Sequence, residues 1–157
     1  MQEYIAHRNE NTGLVQSVKE HSENTAELCR EYAVPELKEF MYTIGLCHDI
    51  GKFQPSFAKR INGANIRVEH STCGALAVKE NYSVSPLALM MEYCIAGHHT
   101  GIPDGGFPND DSSQLTLHGR MKRKFEDFSE YKKELNLPKQ DEIQWLKNLV
   151  GDCGNKM

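Results

Sequence analysis

His48 and Asp49 stand side by side in the stretch Gly45-Leu46-Cys47-His48-Asp49-Ile50-Gly51-Lys52. A neutral imidazole and a carboxylate from adjacent residues can hold a divalent cation between them. Gly51 is expected to free the backbone to turn, and Lys52 offers a cation for a phosphate. A single His-Asp pair arises easily by composition, so its meaning comes from the other histidine segments around it. These are His21, the triplet Glu69-His70-Ser71, and Gly97-His98-His99-Thr100-Gly101, where flanking glycines let both rings approach one centre.

The elements that must carry these residues read as helices. From Ser17 to Ala33, Val18, His21, Thr25, Leu28 and Tyr32 recur at three- and four-residue steps, which predicts a helix with His21 on its inward stripe. Taken alone, His21 reads more readily as a histidine at the core edge satisfied by a hydrogen bond. Pro35 restarts the chain, and Leu37, Phe40, Met41, Ile44 and His48 form a second apolar stripe. A helix that points this face inward and breaks at Gly51 delivers Asp49 into the interior, where an unpaired carboxylate is costly. A positive charge must meet it there, either a metal ion or a Lys or Arg.

Phe53, Phe57 and Ile61 suggest a short helix closed by the turn cluster Asn62-Gly63-Ala64-Asn65. The next helix is expected from about Glu69 to Asn81, with His70 in its first turn. Ser85-Pro86 reads as a helix start, and Leu87, Met90, Met91, Cys94 and Ile95 run toward His98. Gly101 to Ser113 is rich in glycine and proline and reads as a long loop shaping access to the histidine pair. Beyond it, Phe125, Phe128, Tyr131 and Leu135 are spaced as on a helix, and a last helix is expected around Asp141 to Val150. His7, in a polar segment ending in Asn11-Thr12-Gly13, reads as a surface residue entering the first helix through a loop.

At 157 residues the chain fits one domain able to bury a core without disulfides. Hydrophobic residues make up 39% and charged residues 25%, which argues against disorder. The formal charge of -4 means that nucleic-acid contacts have to come from a local patch. Lys52 and the run Arg120, Lys122, Arg123, Lys124 are the candidates, although a solvated face is the plainer reading of that run. There are five cysteines without a Cys-x-x-Cys pair, and most read as small buried hydrophobes in a reducing cytoplasm. The N-terminus lacks the pattern of a secretory signal, and no run has the length of a membrane span.

The ordered set His21, His48-Asp49 with Gly51-Lys52, Glu69-His70-Ser71 and Gly97-His98-His99-Thr100-Gly101 resembles the HD superfamily of metal-dependent phosphohydrolases. It is most similar to the N-terminal HD nuclease domain of the CRISPR-associated type I helicase-nuclease, and the tandem His98-His99 is the discriminating feature. The resemblance covers about residues 4 to 135. It implies an all-α fold, an HD-domain helical bundle with the metal centre at helix ends. It also implies a one- or two-ion centre of manganese, iron, cobalt or nickel that cuts single-stranded DNA. The partners implied are a helicase part, in the same or a separate chain, and a guide-RNA surveillance complex, with no membrane. On this analogy His21, His48 and Asp49 hold one ion, and Asp49 bridges to a second held by His70, His98 and His99. Asp49 and Lys52 are the expected catalytic residues, with Lys52 near the scissile phosphate.

The family pattern closes its site with an Asp on an apolar helix after the double His. The stretch Leu149 to Met157 does not match it, and Asp152 has the wrong flanks, so a fragment lacking that helix and the helicase part is expected. Two rivals use the same residues: an HD phosphohydrolase acting on nucleotides in a closed pocket, and a degenerate HD domain that only binds a partner.

Overall fold

The computed structural model describes residues 3–82 and 86–140. The helix expected at Asp141 to Val150, Ser85, Asp152 and Cys153 lie outside the described residues. The chain begins with a short antiparallel hairpin, β1 (Ile5–Arg8) and β2 (Val15–Ser17), in which Ile5 pairs with Ser17 and Arg8 with Val15. This hairpin replaces the expected loop. Its strands of four and three residues are too short to show an alternating pattern. The other main elements are helices: α1 (Val18–Tyr32), α2 (Lys38–Cys47), α3 (Pro55–Ile61), α4 (Ser71–Asn81), α5 (Pro86–Gly97), and the single turns α6 (Leu117–Arg120) and α7 (Tyr131–Glu134). The all-α expectation holds, with the hairpin as an addition. No helix among the described residues is long and apolar enough to cross a membrane.

Ser17 caps α1 by accepting a hydrogen bond from the Glu20 amide at 3.1 Å. The stripe expected on α1 is rotated: Val18, Ser22 and Ala26 are buried, whereas Leu28 and Tyr32 are 53% and 83% exposed. Small residues explain the rotation. A Cβ on Gly45 of α2 would stand 2.7 Å from Ala26 Cα, so α1 and α2 meet backbone to backbone and the large side chains are left outside. On α2 the expected stripe is kept, with Phe40 and Ile44 buried beside Leu46 and Cys47. On α5, Leu87, Met91 and Ile95 are buried with Ala88 and Ala96, and Met90 and Cys94 face outward. Of the other cysteines, Cys47 and Cys73 are buried as expected and Cys29 is half-buried.

The α1–α2 and α4–α5 pairs form the bundle, and they fit together at the ends that carry the histidines. A Cβ on Gly74 of α4 would lie 2.1 Å from the Cys47 carbonyl oxygen, and one on Gly51 would lie 2.2 Å from the His70 carbonyl oxygen. Gly51 therefore allows a close approach of two backbones. It does not supply the expected turn, since α2 ends at Cys47 and Ile50–Phe53 continues as a 3-10 turn with no positive φ at Gly51.

The helix expected through Phe125, Phe128 and Tyr131 reduces to α7, with Tyr131 buried and residues 121–130 irregular. Tyr131 anchors this segment by accepting a hydrogen bond from Asn81 Nδ2 at 2.9 Å.

Candidate metal centre

Four histidines from different elements surround one carboxylate. Asp49, 2% exposed, has Oδ2 at 2.9 Å from His21 Nε2, 3.1 Å from His48 Nε2 and 2.8 Å from Lys52 Nζ. Its Oδ1 lies 3.2 Å from His70 Nε2 and 3.4 Å from His98 Nε2. His99 completes the group, with its Nε2 at 2.8 Å from His70 Nε2. All six residues expected as metal ligands, His21, His48, Asp49, His70, His98 and His99, thus meet at one centre.

The chain positions these rings through their other nitrogen. His48 Nδ1 faces the Gly45 carbonyl at 2.6 Å, and His98 Nδ1 faces the Ile95 carbonyl at 2.7 Å. Both carbonyls belong to the last turn of a helix, where intrahelical donors run out. A carbonyl can only accept, so each Nδ1 carries the hydrogen and each Nε2 turns its lone pair to the centre. His70 follows the same rule more loosely, with Nδ1 at 3.3 Å from the Val68 carbonyl.

His70 precedes α4 and does not cap it. Glu69 Oε1 takes that role, accepting from the Thr72 amide at 2.9 Å and Ser71 Oγ at 3.0 Å. Gln54, buried, donates from Nε2 to the carbonyls of Gly51 and Glu69, both at 3.0 Å, and so ties the turn after Asp49 to the segment bearing His70.

This arrangement fits a divalent ion. Asp49 Oδ1 is buried and accepts no hydrogen bond, although two imidazole nitrogens stand close to it. Acceptors that face one another across about 3 Å need a cation between them. One donor atom each from Asp49, His70, His98 and His99 lie within 4.8 Å of one another. Desolvation, then the neighbouring His98 and His70, lowers the His99 pKa and keeps it a neutral donor.

Lys52 is 5% exposed and engaged with Asp49 at the cluster. His7, expected at the surface as a bystander, is exposed but packs its ring on His21 with centroids 4.6 Å apart. It also places Nε2 at 3.1 Å from Lys52 Nζ. Partial desolvation and then Lys52 lower its pKa. The signal that could have found His7 is the hairpin, which lays β1 across the start of α1.

Within the basic run after the loop, Arg120 is buried and does not belong to a solvated face. Arg120, 7% exposed, donates from Nε to Thr72 Oγ1 at 3.1 Å and from Nη2 to Ser71 Oγ at 2.9 Å, fastening the loop to the first turn of α4. Lys122 donates to the carbonyls of Pro108 and Asp110, and Arg123 to those of Ser112 and Gln114. Only Lys124 of the four is exposed without such a bond.

Residues 18–141 match the HD domain family. The chain belongs to the HD domain family. HD domains are typically metal-dependent hydrolases, and the His-Asp cluster of this one is the corresponding candidate metal site. No curated protein matches the sequence.

Two depressions reach this HD centre, and both include His70 and His99. One, about 820 Å³, runs past Arg67, Arg123, Ile102 and Leu115; the other, about 470 Å³, runs past Arg8, Arg60 and Phe57.

Proposed function

We propose that this HD domain is a metal-dependent phosphodiesterase that cuts single-stranded DNA, and that it serves as the nuclease part of a CRISPR-associated type I helicase-nuclease system. Its partners in that role are a helicase part and a guide-RNA surveillance complex. The observation that carries the reading is the pair of depressions meeting at His70 and His99. A chain of phosphodiesters needs a groove open on both sides of the metal, whereas a nucleotide phosphohydrolase needs a closed pocket.

Asp49, His70, His98 and His99 would hold one ion of manganese, iron, cobalt or nickel, and His21 and His48 stand on the other side of the Asp49 carboxylate. When bound, such an ion withdraws charge from a phosphoryl oxygen and acidifies water at neutral pH. Arg67 and Arg123 on one side, and Arg8 and Arg60 on the other, attract the flanking phosphates, which a chain of net charge -4 cannot do through its overall field. Ile102 and Leu115 are 76% and 78% exposed and offer apolar surface to unstacked bases. Lys52 neutralises Asp49 from within and so keeps the carboxylate ionised and aimed. The tandem His98-His99, with His70 opposite, supports the nuclease reading over the wider family because it gives this side three imidazoles.

The test is cleavage of single-stranded DNA, with mononucleotides as competing substrates, in the presence of manganese, cobalt or nickel. Metal-dependent cutting that is lost in Asp49→Ala is expected. Hydrolysis of nucleotides with DNA untouched would transfer the site to nucleotide chemistry, and metal binding without hydrolysis of either would make it a binding domain.

A further inference from the structure

The two oxygens of Asp49 have unlike surroundings. Oδ1 faces His70 and His98 and accepts no hydrogen bond, so it lacks a counter-charge. Oδ2 already has one, because Lys52 Nζ lies 2.8 Å away. The same ammonium is 3.1 Å from His7 Nε2 and 3.5 Å from the Ala6 carbonyl. An ammonium has three hydrogens and no acceptor, and here three acceptors surround it. Donor atoms of His7, His21 and Asp49 lie within 4.8 Å of one another, which is the spacing of a second metal position. Lys52 Nζ contacts two of those three residues.

We propose that the Lys52 ammonium is the resident cation of this second position, which takes a metal ion only when Lys52 is withdrawn, with His7 as the ligand that completes it. The inference rests on the metal reading of the cluster. A compact buried positive charge and a divalent ion cannot share the same few ångströms, so the two occupants exclude each other. The native chain is thereby held to one ion on the His70, His98 and His99 side. Lys52 has a flexible four-carbon stem and lines the depression that also contains His7, Arg8 and Phe57, so an exit for its ammonium lies beside it.

Equilibrium dialysis of the full chain against cobalt(II), followed by metal analysis, tests this. The parent should take one ion tightly and a second at least about tenfold more weakly. Lys52→Met keeps the apolar stem without the charge and should bind two ions. Lys52→Met/His7→Ala should return to one, and His7→Ala alone should leave the parent's first ion in place. Two equivalent ions in the parent overturn the proposal whether or not Lys52→Met folds. One ion in a folded Lys52→Met, shown by an intact melting transition, overturns it as well. No ion in the parent or any of the three variants overturns the metal reading itself, an outcome distinct from the failure of this proposal alone.

Discussion

His48 and His98 repeat one attachment from two different helices. Each follows directly after the last residue of its helix, each turns Nδ1 to the carbonyl three residues back, and their rings meet edge to face with centroids 5.2 Å apart. The ends of α2 and α5 thus orient the two imidazoles before any ion arrives, and this lowers the ordering cost of binding. His98→Ala should weaken cobalt binding by about 10- to 100-fold or more, with little change in helicity by circular dichroism. An unchanged affinity would remove His98 from the site.

The fork of Arg120 predicts a split between charge and shape. Arg120→Lys keeps the charge but cannot reach Thr72 and Ser71 together, so it should lose nearly as much stability as Arg120→Met, about 2 kcal/mol in denaturant unfolding. The cobalt absorption spectrum should shift in both variants, because Ser71 and Thr72 follow the ligand His70. Full rescue by lysine would reduce Arg120 to a general positive charge.

Gly51 offers a steric test. Any Cβ there meets the His70 carbonyl, so Gly51→Ala must push α4 away from the turn after Asp49. A loss of about 1–3 kcal/mol is expected, with metal affinity falling in parallel. Thermal melts with and without cobalt should show that the ion protects Gly51→Ala less than the parent.

Much of this was legible in the residues, and what was not has a common cause. The stripe of α2 and the inward Leu87, Met91 and Ile95 of α5 follow from local periodicity, whereas the set of six ligands was implied by the family resemblance, since the residues alone left a metal ion, Lys or Arg as partners for a buried Asp49. His7 and Arg120 were read amiss because their partners are distant in the chain: α1 for His7 and the first turn of α4 for Arg120. The α1 stripe went astray because Gly45 and Ala26 let two backbones approach, which rewards small residues where a pattern of large ones was expected. Basic residues beside a loop look the same in sequence whether they face water or fasten the loop's own carbonyls.

Asp110 gives the loop a pH dependence. Thr116 Oγ1 donates to its Oδ2 at 2.6 Å and the Phe107 amide at 3.1 Å, and these bonds hold the carboxyl below its ordinary value. A depressed folded-state pKa gives stability that is complete above the unfolded value of about 4 and is lost as pH falls below it. Limited proteolysis between residues 104 and 116 should therefore speed up as pH drops from 5 toward 3. Asp110→Asn should be cut faster at pH 5 with a flatter profile, and a parent profile as flat as the variant's would dismiss the Asp110 bonds as the loop's fastening.

The claim on which the rest depends is that Asp49 and its ring of histidines hold a transition metal. Cobalt content per chain, measured after dialysis on the parent and on Asp49→Ala in parallel, addresses it with least inference. One ion in the parent and almost none in a folded Asp49→Ala is the expected result, whereas equal content in the two proteins would contradict a metal centre built on Asp49.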